Sequence, residues 1–164
     1  MDYVEGYFND AEAYYYGKDK PRNYARALEL YHKAAEYEHV KAQIALGDYY
    51  YHKEDEKEGE ESGLELAVKW YRKAADQGSD EAQYYLGDCY ERGIGVQEDM
   101  IQAVKWYHKA AEQGNVDAQY QLALCYNFGE GVSQDEAQAI EWFRKAAEQG
   151  DTASLETLKS WQVL

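Results

Sequence analysis

One ten-residue segment is written four times in this chain, and that repetition constrains the fold more than any other feature. Leu66-Ala-Val-Lys-Trp-Tyr-Arg-Lys-Ala-Ala75, Gln102-Ala-Val-Lys-Trp-Tyr-His-Lys-Ala-Ala111 and Gln138-Ala-Ile-Glu-Trp-Phe-Arg-Lys-Ala-Ala147 are near copies. Trp70, Trp106 and Trp142 recur every 36 residues (106 − 70 and 142 − 106). The fourth copy is Arg26-Ala-Leu-Glu-Leu-Tyr-His-Lys-Ala-Ala35, and its Ala27 precedes Ala67 by 40 residues, so one unit carries four extra residues. Repetition at such a period marks stacked supersecondary units, each burying its apolar face against its neighbours.

A second pattern lies upstream of each copy. Leu46-Gly47-x-x-Tyr50, Leu86-Gly87-x-x-Tyr90 and Leu122-Ala123-x-x-Tyr126 share one spacing. Between the two patterns sit Gly93-Ile94-Gly95-Val96 and Gly129-Glu130-Gly131-Val132. Glycine takes the positive φ angles of tight turns, so each unit reads as helix A, a glycine turn and helix B. Ala103, Trp106, Tyr107, Ala110 and Ala111 fall on one face of a 3.6-residue helix. Ser62-x-x-Glu65 and Ser133-x-x-Glu136 read as capping boxes that open B helices. Pro21 occupies the comparable place in the first unit, near a first helical turn. Gly78, Gly114 and Gly150 stand where a helix C-terminus takes glycine.

The 164 residues are enough for one domain, 1–164, with a core that needs neither disulfide nor metal. The net charge of −15 repels phosphate backbones and anionic lipid, which argues against nucleic acid and membrane partners and for basic proteins or peptides. No apolar run is long enough to span a bilayer. Met1-Asp2-Tyr3-Val4-Glu5 lacks the basic and apolar regions of an export signal, so a cytoplasmic location is expected. Eighteen tyrosines supply rings that suit both packing seams and binding surfaces.

No cofactor, metal or catalytic set is expected. Gly93-x-Gly95 and Gly129-x-Gly131 recur at one repeat position without a following Gly-Lys-Ser/Thr, so they read as turns, not phosphate cradles. His32 and His108 align with Arg72 and Arg144, which suggests a solvated helix face. His39 and His52 have no ligand set at metal spacing. Cys89 and Cys125 are equivalent positions on neighbouring units, too far apart for a disulfide, and read as small, reduced, buried residues.

Ala-x-x-x-Leu-Gly-x-x-Tyr-x-x-Gly-x-Gly-Val followed by Ala-x-x-Trp-Tyr-x-Lys-Ala-Ala-x-x-Gly, met almost throughout from Ala82 to Gly114, resembles the Sel1-like repeat family, relatives of the tetratricopeptide repeat. Residues 118–150 match with Ala123 for glycine. Residues 42–78 lose the glycine turn, and residues 1–38 match mainly in helix B. The resemblance implies an all-α fold: a right-handed α/α superhelix of four helix pairs (about 1–38, 39–78, 79–114 and 115–150) closed by a C-terminal capping helix in 151–164, with Leu158 at the leucine position. It also implies an adaptor or scaffold, not an enzyme. Asp10 at the leucine position of the first unit fits an N-terminal cap with a wettable face. The acidic run from Lys53 to Ser62 holds the four-residue insertion and reads as a solvated loop or a contact arm for a basic partner.

Tetratricopeptide-like stacking would place the A helices on a concave face. The resemblance then assigns ligand contacts to an apolar row (Phe8, Ile44, Tyr84, Tyr120), an acidic row (Glu12, Asp48, Asp88, ending at Leu124) and a third row (Tyr15, Tyr51, Glu91, Asn127). Aromatic faces and carboxylates together suit Lys or Arg. The same apolar row would also serve as packing. The expected function is a protein-interaction adaptor for a basic peptide or protein. Alternatives are an immunity protein neutralising one basic enzyme, a hydrolase or small-ligand binder using the groove carboxylates, and a scaffold that self-associates through an open end. Expected assembly is a monomer or weak self-association.

Overall fold

The computed structural model describes residues 3–53 and 62–163, and the acidic run at 54–61 lies outside them. Those described residues form nine helices and no strand. They are α1 (Tyr3–Tyr16), α2 (Tyr24–Glu36), α3 (Val40–His52), α4 (Gly63–Asp76), α5 (Asp80–Arg92), α6 (Met100–Glu112), α7 (Val116–Phe128), α8 (Glu136–Glu148) and α9 (Thr152–Ser160). Odd-numbered helices up to α7 are the A helices, even-numbered ones the B helices. None is long and apolar enough to cross a membrane. The chain groups into two compact units, Met1–Gln77 and Gly78–Leu164.

Each unit is built from the small and apolar stripe of its B helices. Ala27, Leu30, Tyr31, Ala34 and Ala35 are buried in α2, and Ala103, Val104, Trp106, Tyr107, Ala110 and Ala111 in α6. Alanine at these positions lets A helices approach, and Leu46, Leu86, Leu122 and Leu158 fill the seam with no exposure. Leu158 thus carries the leucine position into α9. Asp10, at the same position in α1, is exposed and paired with Lys20 at 2.5 Å.

One B helix starts where its sequence capping box suggests and another starts two residues later. The capping box Ser62/Glu65 opens α4 as expected. In α8, however, the N-cap is Asp135, which accepts from the Gln138 amide at 3.0 Å, and Ser133 lies outside the helix. Asn23 and Asp99 occupy the same place in α2 and α6. The selector is tertiary: the Asn23, Asp99 and Asp135 amides each donate at 2.9 Å to the carbonyls of Tyr14, Tyr90 and Tyr126. Pro21 therefore precedes the α2 cap instead of entering its first turn. The turn after α1 also copies the later glycine turns, which the sequence reading did not anticipate. Gly17 and Asp19 have φ of 73° and 59°, where Gly93 and Gly95 have 66° and 64°.

Three buried glutamines bind the repeats together. Gln43, Gln83 and Gln119 accept from Gln77, Gln113 and Gln149 at 2.8, 2.8 and 2.9 Å. Gln43 and Gln119 also donate to the carbonyls of Ala35 and Ala111, at 3.2 and 3.1 Å. A buried amide is costly unless it is bonded, so these rungs fix how a B helix meets the A helices beside it. On the outer surface Lys73, Lys109 and Lys145 sit 4.0, 3.8 and 3.8 Å over the rings of Trp70, Trp106 and Trp142, one turn apart on each B helix.

His32 departs from the solvated face expected of it. It is half-buried, 3.1 Å from the Tyr50 hydroxyl and edge-on to Trp70 at 5.6 Å. Packing between helices, not solvent, explains the ring there. His39 caps α3: its Nδ1 accepts from the Ala42 amide at 3.2 Å, leaving Nε2 to donate to Glu5 at 3.0 Å. Cys89 and Cys125 are free and buried, and burial pushes both thiols up to about 12.

Candidate functional site

In the first unit, α1 and α3 present the residues assigned to ligand contact, and α2 and α4 back them. Phe8 is half-buried, stacked on His39 at 4.6 Å and tilted against Tyr31 at 6.0 Å. Ile44 is 7% exposed and belongs to the core. Glu12 accepts from the Tyr31 hydroxyl, and Asp48 from the Tyr71 hydroxyl at 2.7 Å. Tyr15 is exposed, and Tyr51 is half-buried.

Three of these side chains, Glu12, Tyr15 and Asp48, line a cavity of about 270 Å³ that Phe8, Ile44 and Tyr51 do not reach. Tyr16, Tyr31 and Tyr49 line it with them, and Ala45, His52 and Lys53 complete the lining. The Tyr15 and Tyr16 rings meet at 77° with centroids 5.0 Å apart, so they form a corner. Glu12 raises the Tyr16 phenol above its usual range, with burial and Asp48 adding to it. Burial, reinforced by Glu12, does the same to Tyr31. Both phenols therefore remain protonated donors facing a field of two carboxylates.

The second unit repeats the arrangement with shifts. Tyr84 is half-buried against Tyr107 at 5.9 Å, and Tyr120 packs on Phe143 at 5.7 Å. The Tyr107 hydroxyl donates to Glu91 at 2.6 Å, one turn beyond the equivalent of Glu12 and Asp48. Asp88, which holds that equivalent position, pairs instead with Arg92 at 3.2 Å. Burial raises the Tyr84 phenol, and Asp117, Asp88 and Glu91 add to it. Asn127 is half-buried near the end of α7.

A rule runs through both units. Tyr31, Tyr71 and Tyr107 each give a buried hydroxyl to an A-helix carboxylate. The fourth repeat has Phe143 at that position, with Leu124 in the place of Glu12 and Asp48 and Asn127 in the place of Glu91, so hydroxyl and carboxylate acceptor disappear together. An unpaired buried hydroxyl would cost about 1–3 kcal/mol, which accounts for the paired exchange. Glu12, Asp48 and Glu91 thus each anchor a B-helix tyrosine through one carboxylate oxygen. Periodicity in the sequence puts the acids on the face but does not reveal the tyrosines that anchor them, nor Tyr16 and Tyr49. The Tyr-to-Phe change matched by Asp-to-Leu was the available signal. Among the described residues no group of three or more His, Cys, Asp or Glu could hold a metal ion.

The Sel1 repeat profile matches residues 4–36, 40–79, 80–115 and 116–151. A protective antigen of uropathogenic Escherichia coli with an SLR fold is 34% identical, with a TM-score of 0.86 over 94% of this chain and 32% of its own. A Sel1 repeat protein from Oxalobacter formigenes is 30% identical, with a TM-score of 0.78 over 94% of this chain and 60% of its own. Both carry the fold as a helical repeat protein. The rat (Rattus norvegicus) DAP3-binding cell death enhancer 1 is 33% identical over 78 residues, 46% of this chain and 14% of that protein. The chain therefore spans a small part of the rat protein, about a third of the antigen and 60% of the Oxalobacter protein.

Proposed function

This chain belongs to the Sel1 repeat family, whose repeats mediate protein–protein interaction as non-catalytic scaffolds, and we propose that it binds a basic peptide or protein segment through its A-helix faces. The observation that carries this reading is the first-unit cavity, where two carboxylates from different helices and four tyrosines converge. Tyrosine offers contact area at low conformational cost, and the acids supply charge-assisted hydrogen bonds. In the second unit Tyr84, Asp88, Glu91 and Tyr120 offer the same chemistry on α5 and α7. Because Glu12, Asp48 and Glu91 are already tied to buried tyrosines, they are pre-positioned, and less ordering entropy is lost on binding.

Random peptides displayed on phage and panned against the immobilised chain test this reading. Enriched peptides are expected to be rich in Arg and Lys, to weaken with added salt, and to lose about tenfold in affinity against Asp48→Lys or Asp88→Lys. Enrichment of neutral or acidic peptides, or unchanged binding by both charge-reversal variants, would refute it.

A further inference from the structure

The geometry points to the cavity between α1 and α3 as a receptor for one arginine side chain of the partner, its guanidinium stacked in the Tyr15/Tyr16 corner and hydrogen-bonded to Glu12 and Asp48. This inference rests on the binding reading above and names the residue that the first unit recognises.

Three observations carry it. The cavity, about 270 Å³, has room for a guanidinium and its methylene stem. Its walls meet as a corner: Tyr15 lies at 77° to Tyr16, centroids 5.0 Å apart. Such a corner gives a planar cation one face to stack on and one edge to abut. The two acids stand on separate helices, Glu12 on α1 and Asp48 on α3. Each already accepts from a tyrosine, of α2 and α4 respectively. One oxygen of each carboxylate is thus held by the fold, and each carboxylate has a second oxygen to offer a ligand.

Arginine fits this set better than lysine. A guanidinium has five donors in a plane, stacks on aromatic faces and sheds its hydration readily. It can serve two separated carboxylates at once, whereas an ammonium is a strongly hydrated point charge. Lys53 also lines the cavity, one cationic side chain against two acidic ones. Tyr16, raised chiefly by Glu12, reports the negative field in the corner.

The test is an amide-resonance NMR titration of the full chain with N-acetyl-arginine-amide, N-acetyl-lysine-amide and methylguanidinium. Saturable shifts are expected at Tyr15, Tyr16, Asp48 and Tyr49, with arginine about fivefold tighter than lysine. Tyr16→Ala, an exposed residue, and Asp48→Asn should each remove them. Tyr16→Ala serves because Glu12→Gln could disturb the Tyr31 anchor. Equal affinity for arginine and lysine, or shifts that survive Tyr16→Ala, overturns the proposal. So does methylguanidinium binding far more tightly than blocked arginine, which would indicate a free small-cation site. The display-selected peptides separate this inference from the broader one. If they bind but ignore Tyr16→Ala while responding to Asp88→Lys, the arginine pocket falls and the binding module stands.

Discussion

Glu38 sits with φ of 62° where the other repeats place Gly78, Gly114 and Gly150, all near 95°. A side chain in the left-handed region costs roughly 1–2 kcal/mol. Glu38 is exposed, and its side chain is not needed for the Glu38 amide bond to the Ala35 carbonyl at 3.1 Å. Glu38→Gly is expected to raise unfolding stability by about 1 kcal/mol, net of the extra freedom glycine gives the unfolded chain, measured by urea denaturation. The opposite holds at Gly87. A Cβ there would stand 2.6 Å from Tyr107 Cδ1, a ring with no exposure. Gly87→Ala should destabilise by about 1–3 kcal/mol through overpacking. It should also weaken the Tyr107–Glu91 bond, visible as a shifted Tyr107 side-chain resonance. Ala123 tolerates its methyl in the fourth repeat, where the facing ring is Phe143.

At the scale of helices, the junction of α2 with α3 and α4 holds a titratable ring. Burial pushes His32 below its ordinary value, so the folded state takes up a proton less readily than the unfolded chain. Stability is full above about pH 6.5 and falls as pH drops below it toward the lowered folded value. Thermal melts of wild type and His32→Gln should therefore differ more in pH response between about pH 7.5 and 5 than at higher pH. The helix pairs themselves were legible in the sequence, because alanine and aromatic spacing, glycine turns and the 36-residue period all agree on them. Which polar residue caps α8 was not, since Ser133 and Asp135 are both good caps and a carbonyl of α7 decides between them. The binding face was half legible for a similar reason. Its rows follow from periodicity within one helix, but Tyr31–Glu12 and Tyr71–Asp48 join residues 19 and 23 apart across a turn. Only comparison between repeats reveals that partnership.

For the molecule as a whole, 32 acidic against 17 basic side chains means that folding concentrates like charge. Raising NaCl from about 10 to about 150 mM shortens the range of that repulsion and should raise the melting temperature, while slowing capture of a basic partner. A fall in melting temperature over the same range would mean that the surface ion pairs outweigh the net repulsion. The glutamine rungs have a different consequence at this scale, one about where the chain can change its length. Both donations from Gln43 and Gln119 reach back across the same interval of 8 residues. Acceptance by Gln43 spans 34 residues, but by Gln83 and Gln119 only 30. The four extra residues of one repeat thus fall inside the wide interval and leave the narrow one untouched. Growth is permitted within a hairpin and forbidden between hairpins. Two glycines inserted between Gly95 and Val96 should leave a cooperative melt, whereas the same pair between Gly114 and Asn115 should split or abolish it, because there the next hairpin loses its phase.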